Sequence, residues 1–184
     1  LEENLHLQPV ADLLEEAGFQ SAISESELKG VMPCYNSIDG EPASVSHRLL
    51  TELLREKMGF DGLCVSDYGG INNAHEVQRI GETIGETGLL AMEAGMDIEM
   101  PKATGYGEEL KEMFRSGQAD TELLDRTVLR VLEAKFRMGL FEHPFAMDGE
   151  SCQKIFEEKE GAELSFRSAR ESMVLLKNNG ILPL

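Results

Sequence analysis

The chain has 184 residues, enough for one domain with a hydrophobic core, and its 41% apolar and 28% charged content is ordinary for a globular protein. Its 17 Lys and Arg against 34 Asp and Glu leave a net charge of -17, which argues against nucleic acid and anionic membranes as partners, because phosphate binding needs a basic surface. No apolar run approaches the roughly 20 residues of a membrane helix.

The N-terminal LEENLHLQPV has no initiator Met, no basic patch and no apolar signal segment, so the expectation is a chain that begins inside a longer protein. Cys34, Cys64 and Cys152 are odd in number and far apart, which fits neither a disulfide framework nor a zinc site. Cys34 and Cys64 sit in apolar runs and read as small core residues. With no Asn-x-Ser/Thr sequon, these points favour a reducing, cytoplasmic setting.

In chain order, residues 5–18 read as a helix stopped by Gly18. VMPCYN, 31–36, reads as a short strand, followed by a turn-rich loop with Asp39-Gly40. Residues 46–58 form an amphipathic helix with Leu49, Leu50, Leu53 and Leu54 on one face and Ser46 able to cap it. GLCVSDY, 62–68, is the next strand, and the loop after it turns helical in its later part. A helix at 86–94 leads to the strand MDIEMP, 96–101. Helices follow at about 106–116 and 121–138, the longer one with Leu124, Val128, Val131 and Leu132 inward. Residues 142–152 read as irregular, 157–171 as a helix, and SMVLLKNNGILPL as an apolar, strand-like run.

Strands near 31, 62 and 97 with a helix between each pair have the rhythm of βαβ units. They are apolar rather than alternating, as in a parallel sheet covered on both faces. The fold class is α/β, a (β/α)8 barrel or a doubly wound sheet. A barrel needs eight strands and roughly 250 residues, so three strands imply the last part of one.

Such folds place their sites at the C-terminal ends of the strands. Asp67 ends the second strand, Tyr35 the first, and Glu99 with Met100 the third. Gly69 and Gly70 leave room beside Asp67 for a ligand. On the residues alone, Asp67 reads more readily as a helix N-cap or turn acid than as a site residue. No Gly-rich phosphate cradle follows any strand.

YNSIDG, GFDG, VSDY and AMEAGMDIEMP stand in this order over residues 31–101. The stretch resembles the C-terminal half of the catalytic barrel of glycoside hydrolase family 3, which includes β-glucosidases and β-xylosidases. ESMVLLKNNGILPL is similar to the segment that leaves that barrel for the family's second domain. The resemblance implies a partial (β/α)8 barrel over residues 1–141 and a linker over 142–184 towards an absent α/β domain. It implies a retaining exo-β-glycosidase as the parent enzyme, with Asp67 as its catalytic nucleophile and no metal or organic cofactor. Met32 and Tyr35 match positions that line the pocket. Tyr68 stands where many relatives have a Trp, so the stacking subsite is expected to be weaker. His75 reads more as a surface residue than a sugar ligand. Glu99 is not taken as the acid/base, which the family usually supplies from its second domain.

None of the Asp, Arg and Lys-His pair that the family's first barrel half normally supplies is identifiable here, and no Lys-His dipeptide occurs. The chain alone is therefore expected to be inactive and to self-associate through its open strands, its partners being a carbohydrate substrate and the missing parts of the parent. The competing readings are a separate, non-catalytic α/β module that binds sugar or a partner chain, and an unrelated doubly wound enzyme. The sequence leaves glucose and xylose undistinguished.

Overall fold

The three-stranded parallel sheet at the centre of the chain is ordered by its apolar runs: β1 (Gly30–Val31), β4 (Leu63–Tyr68) and β5 (Ile98–Met100) lie side by side in that order. A computed structural model describes residues 18–26, 28–145 and 147–183, in two compact units that divide after Gly139. The helix expected at 5–18 lies outside the described residues, apart from Gly18, which precedes helix α1 (Phe19–Glu25). The fold is α/β, with parallel βα units of a partial barrel.

β1 stops five residues before the end of the predicted strand, because Pro33 has no N–H to give a ladder. The turn-rich loop after it contains a small antiparallel hairpin, β2 (Ser37–Ile38) with β3 (Glu41–Pro42). Asp39 and Gly40 turn it with φ of 53° and 85°, the left-handed pair that a two-residue hairpin loop requires.

Helix α2 (Arg48–Lys57) follows, with Ser46 accepting from the Leu49 N–H at 3.2 Å. It is wound in π turns, which its leucines do not reveal, since residues four apart share a face in either winding. Leu50, Leu53 and Leu54 are buried.

α3 (Gly70–Glu76) starts directly after β4, so the loop is helical in its earlier part rather than its later part. α4 (Ile84–Ala94) opens with a reciprocal capping box between Thr83 and Glu86. α5 (Glu108–Ser116) and α6 (Thr121–Arg137) complete the first unit. A side chain on Gly88 of α4 would collide with the Gly105 carbonyl, so this approach of helix to loop needs glycine.

The register decides what faces what. Val31 is level with Cys64, and Val65 with Ile98. Side chains alternate along a strand, so Val31 and Cys64 share the helix side, where the core of Leu50, Leu54, Phe60, Ile71, Ala91 and Met96 gathers. Leu63, Val65 and Ile98 take the other face and are only half-buried. Cys34 is exposed, not a core residue, because it lies past the end of β1. Leu124, Val128, Val131 and Leu132 are not buried either. They line an open groove of about 610 Å³ with Leu110 and Phe114 of α5, and only Thr127 of α6 is fully inside.

In the second unit, α7 (Gly149–Phe156) occupies part of the stretch read as irregular, started by Asp148. The Ser151 N–H and hydroxyl hold the Asp148 carboxyl below its usual range. α8 (Lys159–Glu171) follows. The run expected to be strand-like forms no strand over 173–183, where Asn178 instead clasps the Gly180 and Leu182 N–H groups.

Candidate active site

β4 carries a register shift at its end. Val65 is level with Ile98 but Tyr68 is level with Met100, so three steps on β4 meet two on β5. The extra residue falls at Ser66-Asp67, a bulge of the kind that re-aims a side chain. The buried Ser66 hydroxyl accepts from the Met100 N–H at 2.8 Å and ties β5 to the bulge. Beyond it, the Gly69 N–H donates to the Met100 carbonyl at 2.9 Å. Gly69, at φ 70°, then turns the chain into α3. Asp67 thus lies between two ties to the Met100 backbone.

The Asp67 carboxylate is half-buried, and its Oδ1 accepts from the Tyr68 N–H at 2.7 Å. Gly70 leaves space next to it: a Cβ there would lie 3.9 Å from the Asp67 Cβ and 3.1 Å from the Ser44 hydroxyl. Met32 and Tyr35 follow β1 and Tyr68 follows Asp67, so all four residues lie at the C-terminal end of the sheet. Met32, Tyr35 and Tyr68 are half-exposed or more, an open rim of one thioether and two phenols. Two cavities, of about 570 and 610 Å³, lie elsewhere, and neither is lined by Asp67.

Glu99 does not converge on this rim. It lies on the helix side of β5 and is almost wholly buried. Its Oε1 accepts from the Gly105 N–H at 3.0 Å and its Oε2 from the Tyr106 N–H at 2.8 Å, with the Thr104 hydroxyl as third donor. Both oxygens are committed to shaping the loop after β5. Tyr106 in turn donates to the Met96 carbonyl, and burial pushes its hydroxyl well above the ordinary tyrosine range.

His75 is half-buried rather than a surface residue. Its Nδ1 lies 3.2 Å from both the Ile80 carbonyl and the Thr87 hydroxyl, which fastens the turn after α3 onto α4. Gln78 stands in that turn and reaches across to the Tyr35 loop, a link that nothing in the sequence pattern announces. Among the described residues, no cluster of three or more His, Cys, Asp or Glu could hold a metal ion.

Residues 7–134 match the family model described as the glycosyl hydrolase family 3 N terminal domain. A "Beta-xylosidase" of Formosa agariphila is 30% identical over 174 residues, covering 90% of this chain and 24% of that protein. A β-glucosidase structure from Erythrobacter marinus superposes with a TM-score of 0.77 at 35% identity, over 90% of this chain and 22% of that one. The D270A β-glucosidase of Listeria innocua, solved with laminaribiose, gives 0.75 at 33% identity, over 90% and 23%. The chain thus spans about a quarter or less of the relatives it matches. By its family model and its structural neighbours alike, the chain belongs to glycosyl hydrolase family 3, within the N-terminal domain of that family.

Proposed function

We propose that the whole protein is a retaining, exo-acting β-glycosidase that removes terminal β-linked glucose or xylose from oligosaccharides or glycosides. The observation that carries this reading is the setting of Asp67, a half-buried carboxylate on a bulged strand end with one oxygen fixed by a backbone N–H. With Oδ1 held, Oδ2 is the oxygen available to attack an anomeric carbon. A bond forms between Asp67 and that carbon as the glycosidic C–O bond breaks, and a second carboxyl group about 5 Å away protonates the leaving oxygen. Water then hydrolyses the glycosyl-enzyme. Glu99 cannot be that second group while both its oxygens hold residues 104–106. Tyr35 orients the carboxylate, Met32 packs on the sugar ring, and Tyr68 stacks on the next sugar with a smaller face than a Trp. Residues 1–141 are the last part of the catalytic barrel, and 142–184 lead to a second domain. Trapping with a 2-fluoro β-glycoside tests the reading: the label is expected on Asp67, and a label on any other residue overturns it.

The 184-residue chain by itself is expected to hydrolyse neither aryl β-glucosides nor β-xylosides, having a nucleophile without its acid. Turnover by the pure chain that disappears in Asp67→Ala would show that no second domain is needed.

The isolated chain is also expected to self-associate. Among the described residues, β1 and β5 each pair on one side only, and unpaired strand edges template other chains. Leu63, Val65 and Ile98 are left half-covered on the sheet face that a closed barrel would bury. The charge of -17 opposes association, but salt screens it beyond about 8 Å. Sedimentation at micromolar concentration should show dimers or larger species, and a single cooperative monomer would contradict this.

A further inference from the structure

Two loops of the candidate rim are joined by one side chain. The Gln78 amide Nε2 donates to the Tyr35 carbonyl at 2.9 Å and to the Ser37 hydroxyl at 3.1 Å. The partners are more than forty residues apart in sequence, one loop following β1 and the other following α3.

The turn that carries Gln78 is unusually well determined. The Val77 and Gln78 N–H groups both close on the Asn73 carbonyl, and the Ile80 N–H on the Ala74 carbonyl. Arg79 takes φ 61°, a conformation that costs a non-glycine residue and persists only when its surroundings impose it. The surroundings are visible: the Thr87 hydroxyl donates to the Ile80 carbonyl, and His75 lies against both. A chain of contacts therefore runs from α4 through Thr87, His75 and the strained turn to Gln78, and from there to Tyr35.

Gln78 also carries a penalty. Its Oε1 is out of reach of solvent and finds no donor among the described residues. A buried acceptor without a partner destabilises the fold, and an apolar side chain of the same shape would remove that cost. Stability therefore does not account for a glutamine here, while the two bonds to the Tyr35 loop do. We propose that Gln78 is a positioning residue of the catalytic rim, whose amide fixes the Tyr35 loop against the turn after α3. The inference rests on the reading of Asp67 and Tyr35 given above, since Gln78 touches neither sugar nor nucleophile and acts through the loop.

The test is Gln78→Met in the whole protein, which keeps length and apolar bulk and removes both donors together with the orphaned acceptor. For an aryl β-glycoside, kcat/KM is expected to fall about tenfold, the scale of a small misplacement near reacting groups. The melting temperature is expected to stay level or rise. Amide hydrogen exchange at residues 35–38 is expected to speed up. In a Tyr35→Ala background the Gln78→Met effect on kcat/KM should shrink, because the side chain being positioned is gone. Gln78→Asn, too short to span the gap, carries the same expectations for kcat/KM and for exchange, and stands in if the Met variant folds poorly. Wild-type exchange at 35–38 in either variant overturns the proposal, as does a loss of kcat/KM that tracks a fall in melting temperature and adds fully to Tyr35→Ala. A protein whose Asp67→Asn variant still turns over would instead refute the nucleophile reading, and the exchange measurement would decide the role of Gln78 without it.

Discussion

Asp67→Asn in the whole protein is expected to lower turnover of an aryl β-glucoside or β-xyloside by about four orders of magnitude or more, the scale seen when a covalent nucleophile is removed. The substitution is chosen to disturb little else. The amide oxygen of Asn can still accept the Tyr68 N–H, so the bulge at the end of β4 keeps its inner bond. Ser66 and Gly69, which tie β4 to β5 around it, are untouched. The change replaces one half-buried polar side chain by another of equal size, so stability should move by no more than about 0.5 kcal/mol. The amide is a very poor nucleophile towards the anomeric carbon, and the glycosyl-enzyme cannot form. Turnover is measured at saturating substrate, and the 2-fluoro label should vanish from the peptide that contains residue 67. Near-normal turnover with an unchanged melting temperature would remove Asp67 from the mechanism.

What could be read in the sequence was the part determined locally. Leu63-Cys64-Val65 before Asp67-Tyr68-Gly69-Gly70 marks a strand that ends in a turn, and β4 ends there. The leucines of α2 and its Ser46 cap fix that helix to within a few residues, because periodicity and capping are properties of neighbours in the chain. Other features depend on partners far away. Val31 looks like any inward apolar strand residue, and only its register against Cys64 assigns it to the helix side. Val128 and Leu132 lie on one stripe of α6, yet the stripe forms a groove wall with α5 instead of entering the core. Residues 173–176 have strand composition, but a strand exists only beside another, and none pairs with them among the described residues.

The site divides along the same line. A carboxylate at a strand end is a local fact, whereas the bulge that aims it needs the β5 partner. Glu99 shows the converse, since its position at a strand end suggested the rim and its side chain turned to the loop at 104–106. Alternation along β5 decides that: Ile98 and Met100 share one face, and Glu99 takes the other.

Asp97→Asn is expected to be the most damaging single change to the fold, costing about 3–5 kcal/mol, the range for breaking a buried ion pair from one side. Asp97 is wholly inside, and its carboxylate joins three elements. Oδ2 accepts from Arg55 of α2 at 2.7 Å and from the Cys64 N–H of β4 at 2.8 Å, while Oδ1 accepts from Arg130 of α6 at 3.2 Å. Arg55 is nearly buried as well and also donates to the Gly62 and Gly95 carbonyls, so it cannot swing out to water without breaking those bonds. The Asn amide matches the carboxylate in shape but not in charge, and it leaves two guanidinium groups without a counter-ion in a poorly solvated place. The exposed Arg137–Asp61 pair provides the contrast, because both ends are solvated and gain little from each other. In urea, where small domains lose about 1–3 kcal/mol per molar, Asp97→Asn should lower the unfolding midpoint by 1 M or more, whereas Asp61→Ala should leave it in place. The same burial pushes the Cys64 thiol up to about 11, so Cys64 should resist alkylation in the native protein and react once Asp97→Asn has loosened the junction. A midpoint for Asp97→Asn equal to that of Asp61→Ala would mean that apolar packing between the sheet and α2 holds this end of the fold without the ion cluster.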